Sequence, residues 1–142
     1  MSGLAIKSLI LSHFRSHLAA KIDFSHGPVA LFGGNGVGKT NILEAISLLS
    51  PGRGLRRSAL DEMARKPESL GWKISANLQG LSQKHVIETW YQVGSSRQVR
   101  LDEKVVTQSS LARVARVVWL VPAMDRLWIE SAEGRRRFLD RL

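Results

Sequence analysis

Cysteine is absent from this sequence. A disulfide scaffold and a thiolate metal site are therefore excluded, and the composition suits a reducing compartment. Long apolar runs are also missing. Lys7 interrupts the apolar start MSGLAIKSLILSHF, no small-residue cleavage site follows it, and nothing reaches the length of a membrane span. That stretch reads as a strand, and the expected location is cytoplasmic, with no membrane partner. Acidic side chains are scarce, 12 against 21 lysines and arginines, which leaves a net charge of +9. Such a balance points to an anionic partner such as nucleic acid, and says nothing about the fold. His13 and His17 are four residues apart but flank a turn-like stretch, so surface positions are expected of them and not a metal site.

A chain of 142 residues with 44% hydrophobic side chains can bury the core of one ordinary domain. Residues 4–11 read as a strand, 19–24 as its hairpin partner, and 27–32 as a short buried strand after a Gly-Pro break. From Lys39 to Leu49 the apolar residues Ile42, Leu43, Ala45, Ile46 and Leu49 recur at helical spacing, and Ser50, Pro51 and Gly52 end the helix. A short helix is expected over 58–65, with Ser58 as its N-cap and Asp61 and Glu62 in its first turn. Strict alternation of Trp72, Ile74, Ala76 and Leu78, then strands over 84–93 and 97–102, predict an antiparallel β-meander across 71–106. A helical turn over 108–115, a buried strand over 116–121 closed by Pro122, and a helix over 131–142 capped by Ser131 complete the reading.

The most informative stretch is LFGGNGVGKTNILEAI, Leu31 to Ile46. Gly33, Gly38, Lys39 and Thr40 fit G-x-x-x-x-G-K-[ST], between an apolar run and an amphipathic helix. The residue types follow from the chemistry. Glycines let successive backbone N–H groups curl around phosphate oxygens, and a helix starting near Lys39 points its positive end at the same place. Lys39 is the expected partner of the β- and γ-phosphates, and the Thr40 hydroxyl the expected Mg²⁺ ligand. The expected nucleotide-binding set is Gly33, Gly34, Asn35, Gly36, Val37, Gly38, Lys39, Thr40 and Asn41.

Other parts of a hydrolase are not found. No apolar strand ends in an acid: VRLDE at 99–103 alternates, and VVWLVP at 117–122 ends in proline, with Asp125 beyond it. No S-x-G-x-Q motif, and no D-x-x-G with N-K-x-D, occurs. The expectation is the front part of a larger ATPase, inactive alone. Basic residues gather in three stretches. They are Arg53, Arg56, Arg57, Arg65 and Lys66, then Arg97, Arg100, Lys104, Arg113 and Arg116, then Arg126, Arg135, Arg136, Arg137 and Arg141. Each alone reads as a solvated face; three together beside a nucleotide loop favour nucleic acid.

With these residues in hand the chain resembles the RecF family of bacterial DNA replication and repair ATPases, in the SMC-like branch of ABC-type ATPases. The likeness runs from Phe14-Arg15 through GNGVGKTNILEAI and Gly52-Arg53-Gly54-Leu55-Arg56, where Leu55 replaces the family's aromatic residue, to RRRFLD at Arg135–Asp140. A further departure is Pro122-Ala123-Met124, where the family often has Pro-Glu. The resemblance implies a P-loop α/β fold: an ABC/SMC-like ATPase head lobe with a mixed sheet and a meander, truncated before its signature and acidic motifs. It implies ATP and Mg²⁺, a weak parent ATPase, an ATP-dependent homodimer clamped on DNA, and recombination mediator proteins as partners. It also implies that the DNA is single-stranded and duplex, engaged at gaps, in replication, recombinational repair and the SOS response. Arg15 is then expected near a phosphate of ATP, and Arg56, Arg57, Arg135, Arg136 and Arg137 near DNA or the dimer interface. Two alternatives stay open at this point. One is another ABC class, such as a transporter subunit, in which Phe14 or His17 would stack on adenine. The other is a non-catalytic nucleic-acid binder with a degenerate loop.

Overall fold

The computed structural model describes residues 3–122, 124 and 132–140. Its centre is one six-stranded antiparallel sheet in the order β2-β1-β3-β4-β5-β6. The strands are β1 (Ala5–Phe14), β2 (His17–Asp23), β3 (Gly71–Gln79), β4 (Lys84–Gln92), β5 (Gln98–Leu101) and β6 (Lys104–Val106). Two helices, α1 (Lys39–Ser47) and α2 (Ala132–Leu139), and two 3-10 turns at Asp61–Met63 and Gln108–Arg113 complete the described elements. No helix among the described residues is long and apolar enough to cross a membrane.

Period-2 alternation sets the register. Leu9 lies opposite Ala76, which lies opposite Ile87, and Leu11 continues the next row through Ile74, Thr89 and Val99. All seven of these side chains are buried. A slip of one residue would turn each row out to solvent, so burial itself fixes the pairing. Ala45, Leu48 and Leu49 from the α1 region, with Met63 and Leu111, close this face into a single core. Phe14 and Trp72 meet edge to face at 5.6 Å between ring centroids, and the Trp72 indole N–H donates to the Leu60 carbonyl at 2.8 Å. Trp72 thereby buries its apolar body without orphaning its polar tip.

The opposite face is polar and organised by charge. Glu88 accepts from Lys73 and from Arg100, and Arg100 also lies 5.2 Å above the Trp90 ring. The Lys73 ammonium, with Arg100 behind it, holds the Glu88 carboxyl below the ordinary 4.5. Where β5 ends, His85 and then the Val86 N–H hold Asp102 below the ordinary 3.8. Asp102 and Glu103 both take positive φ, 47° and 69°, which is the two-residue turn that carries β5 into β6.

Three expected elements are not formed. Residues 27–32 and 116–121 are not strands. A buried strand needs a hydrogen-bonded neighbour and cover on its faces. Here no described strand pairs with either segment, and Val29, Phe32 and Leu120 are exposed. The described strands are accordingly all antiparallel, while the expected 71–106 meander is present in full. The helix expected over 58–65 is reduced to the 3-10 turn at Asp61–Met63. Its capping residue is taken: the Ser58 hydroxyl accepts from Arg15 at 2.7 Å, and it is the Glu62 carboxylate that accepts the Ala59 N–H. The N-cap expected at Ser131 lies outside the described residues.

Two measurements check this packing. Gly71 has φ 131°, and a Cβ there would stand 2.2 Å from the Tyr91 carbonyl oxygen. Gly71→Ala is expected to destabilise the fold by about 2–3 kcal/mol, read from urea denaturation. Glu88 and Asp102 have folded pKa values below their unfolded ones, so their stabilisation is complete above the unfolded values and is lost as pH falls through the folded ones. Acid titration from about pH 5 to about pH 2 should show the loss, with a shallower slope in Glu88→Gln.

Candidate nucleotide-binding site

The segment from Gly33 to Gly38 is irregular, and α1 starts directly after it at Lys39. Gly38 occupies the N-cap position with φ 97° and gives no side-chain cap to the helix. The positive φ favours glycine at Gly38, and a Cβ there would stand 2.7 Å from His17 Nε2 and 2.8 Å from Ser16 Oγ, so those two side chains would have to move as well. The first turn of α1 carries no acidic residue. Its leading N–H groups have no intrahelical acceptor and, with the positive end of the helix dipole, favour an anion.

Lys39 is folded back over this loop. Its ammonium donates to the Gly33 carbonyl at 2.6 Å and to the Gly34 carbonyl at 2.7 Å. The flexible cation is thus pinned across the loop by two neutral acceptors, which a phosphate oxygen outcompetes for a charged donor. Thr40 is exposed at the helix entry, one residue from Lys39. Donors, charge and open backbone together fit a nucleotide polyphosphate.

The turn between β1 and β2 buttresses the loop. Asn41 donates to Ser16 Oγ at 2.9 Å, and His17 Nε2 lies 3.4 Å from the Gly38 carbonyl. Arg15, with φ 53°, takes the Glu44 carboxylate with both Nε and Nη2, each at 2.8 Å. Arg15 also donates to the Glu62 carbonyl and to Ser58. Arg56 reaches the same carboxylate at 2.9 Å and the Asn41 side-chain oxygen at 2.9 Å. Glu44 is 0% exposed. A buried carboxylate is tolerated because two guanidinium groups replace its water.

The sequence-predicted residues therefore divide. Residues 33–41, Arg15 and Arg56 meet at one place, although Arg15 and Arg56 both turn toward Glu44 and Asn41 accepts from Arg56. Arg57 is exposed in the loop after α1, with φ 53°. Arg135 and Arg136 lie on α2, and the Arg137 side chain, Ala123 and Asp125 lie outside the described residues. Phe14, weighed as an adenine-stacking residue, is fully buried against Trp72 and is closed to that role.

Two residues escaped the motif reading. Glu44 stands four positions before Leu48, so helical spacing alone places it over the buried side of α1. Arg97, grouped by charge with the surface cations, is only 6% exposed. It stands one residue before β5, and alternation with Val99 and Leu101 puts it on the apolar side of that strand, a signal that charge counting overlooked. Burial pushes its guanidinium down to about 10, still charged near neutral pH.

Glu44→Ala leaves Arg15 and Arg56 facing each other without their shared anion. It is expected to cost about 2–4 kcal/mol in urea denaturation, less than a fully buried pair would, because both arginines keep partial access to water.

Comparisons with known proteins identify the family. A family model described as an AAA domain matches residues 8–107. The DNA replication and repair protein RecF of Caulobacter vibrioides is 46% identical over 149 aligned positions, covering 100% of this chain and 38% of that protein. The protein of the same name from Mesorhizobium japonicum is 45% identical, over 96% of this chain and 37% of its own length. The chain thus spans under two fifths of these relatives. Among solved structures, the recombination mediator protein RecF–ATPrS of the RecFOR pathway superposes with a TM-score of 0.86 at 25% identity, over 97% of this chain and 38% of that one. A structure from work on ATP-driven dimerisation of SMC ATPases shares the fold, with a TM-score of 0.75 at 20% identity over 96% of this chain and 98% of that one. This chain belongs to the AAA domain family, and along its whole length it is related to the RecF DNA replication and repair proteins.

Proposed function

We propose that this chain is the nucleotide-binding front part of an ATP-dependent DNA-binding protein of replication and recombinational repair. The observation that carries the reading is the loop itself. Lys39 is held across the Gly33 and Gly34 carbonyls, at the mouth of a helix whose first turn has neither a side-chain cap nor an acid. In this reading Gly33 to Asn41 cradle the phosphates, with the backbone N–H groups and Lys39 supplying the donors and Thr40 holding Mg²⁺. Bound ATP supplies the negative charge that draws Lys39 off the carbonyls. Arg15 acts first through Glu44, since its guanidinium donates to the buttress and not to the loop.

The relatives give the wider context. RecF proteins are named for DNA replication and repair, RecF has been solved with ATP in the RecFOR pathway, and an SMC ATPase is described as dimerising with ATP. By that likeness the full protein closes as an ATP-dependent homodimer on single-stranded and duplex DNA, works with recombination mediators in the cytoplasm, and serves the SOS response. The excess of 21 basic over 12 acidic residues suits this partner. Arg57 and the Arg135–Arg137 run are the phosphate contacts proposed here, with Arg56 shared between DNA and the Glu44 buttress.

Catalysis needs more than phosphate binding, because charge and water must also be placed in the transition state. This chain has no apolar strand ending in an acid and no S-x-G-x-Q motif. Calorimetry on the 142-residue chain should therefore show Mg²⁺-assisted ATP binding that Lys39→Ala weakens by about ten- to a hundredfold. A phosphate-release assay should show no turnover above background. Multiple turnovers that depend on Lys39 would contradict the assignment, with Asp102 and Asp125 as the first acids to test.

DNA binding should be sequence-tolerant and salt-dependent. Replacing Arg135, Arg136 and Arg137 with Ala should lower the slope of log affinity against log salt by about 0.9 for each phosphate that is no longer neutralised. An unchanged slope in a folded variant assigns these arginines elsewhere.

A further inference from the structure

We infer that Arg97 is a positioning residue for the phosphate loop, fixing the far end of the helix whose near end forms the loop. The inference rests on the nucleotide reading for its effect on ATP, but not for its structural readout.

Arg97 follows the Gly94-Ser95-Ser96 turn and enters the core beside Val99. Its Nε donates to the Thr89 hydroxyl at 2.8 Å. Nη1 donates to the Gly52 carbonyl at 2.7 Å and to Gln108 at 3.3 Å. Nη2 donates to the carbonyls of Leu48 and Ser50. No carboxylate is among these partners. The buried charge is instead met by neutral oxygens, among them the backbone carbonyls of Leu48, Ser50 and Gly52 in the segment that leaves α1. Those carbonyls are the orphan acceptors of a helix terminus and its exit, where the dipole is negative. Nothing basic stands in the last turn of α1 itself. The cation that this helix end calls for is supplied from another element, the meander.

The geometry makes the two ends of α1 mechanically dependent. The helix has nine residues, about 13 Å of rise. Its entry is tied to the β1–β2 turn through Asn41–Ser16, His17–Gly38 and Glu44–Arg15. Its exit is tied to the meander through Arg97, which is itself held by Thr89, a side chain at 0% exposure that also donates to the Gln98 carbonyl. Without the Arg97 fork the exit is held only by Leu48 and Leu49 in the core and by Ser47, and a tilt of so short a rod at its exit is carried to the loop at its entry. Lysine cannot replace the fork: its ammonium has three donors at a single point, whereas the guanidinium spans Thr89 on one side and the α1 exit on the other.

The experiment compares Arg97→Lys and Arg97→Met with Leu78→Ala, a loss of core volume near the end of β3. Amide hydrogen exchange is followed for those amides that exchange by local opening, together with thermal stability and ATP·Mg affinity. The expected result is about tenfold faster exchange over residues 36–49 in both Arg97 variants, and about tenfold weaker ATP binding, with the amides of β3 and β4 unchanged. Leu78→Ala, with an equal or larger loss of thermal stability, should leave residues 36–49 as in the parent chain. Equal effects in Leu78→Ala and the Arg97 variants, or parent-like exchange over 36–49 in Arg97→Lys, would overturn the inference. Faster loop exchange in a chain that shows no ATP binding even before substitution would uphold the positioning role and reject the nucleotide reading. Should the Arg97 variants fail to fold, Thr89→Val removes the acceptor of Nε, together with the Thr89 donor to the Gln98 carbonyl, and leaves the Nη contacts in place. A rise confined to 36–49 is then the supporting result and a uniform rise the opposing one.

Discussion

The Glu44 carboxylate is sealed from water, and the arrangement around the loop follows from the need to satisfy it. A lone buried carboxylate would be several kcal/mol too costly to keep ionised. Arg15 and Arg56 meet it from two different segments, one in the β1–β2 turn and one in the loop after α1. Each arginine then carries its own segment with it. Arg15 brings Ser16 and His17 to the loop, and Arg56 brings its guanidinium to Asn41. An ion triad centred on Glu44 of α1 thus ties the turns on either side of the Gly33–Gly38 loop to the helix that follows it.

Charge in this molecule serves two ends that a count cannot separate. Of the basic residues, Arg15, Arg56 and Arg97 are structural fasteners, while Lys73 and Arg100 are balanced by Glu88 on the polar face of the sheet. Part of the +9 is therefore held inside these clusters, while Lys84 and Lys104 on the sheet and Arg57 in the loop after α1 stand exposed.

The meander was legible because its physics is local. Trp72, Ile74, Ala76 and Leu78 alternate in sequence and all four are buried in the sheet. The geometry of the loop was legible for a similar reason: Gly33, Gly36 and Gly38 take positive φ and α1 begins at Lys39, as the glycine spacing and helical periodicity predict. Residues 27–32 and 116–121 look like strands by composition, but a strand is a relation between segments, and no described strand is their neighbour. Glu44 and Arg97 were hidden by a different effect. Charged residues are assigned to solvent by default, and only their spacing from Leu48 and from Val99 shows that they point inward.

The central claim is that residues 33–40 are a phosphate cradle closed by Lys39. Backbone amide NMR during titration with ATP·Mg tests it most directly. The account predicts large, saturable shifts concentrated in the N–H groups of Gly36, Gly38, Lys39 and Thr40, with small changes on β3 and β4 and no such pattern with adenosine alone. Saturable shifts of equal size with adenosine, or shifts centred on the sheet while the loop amides stay still, would contradict it.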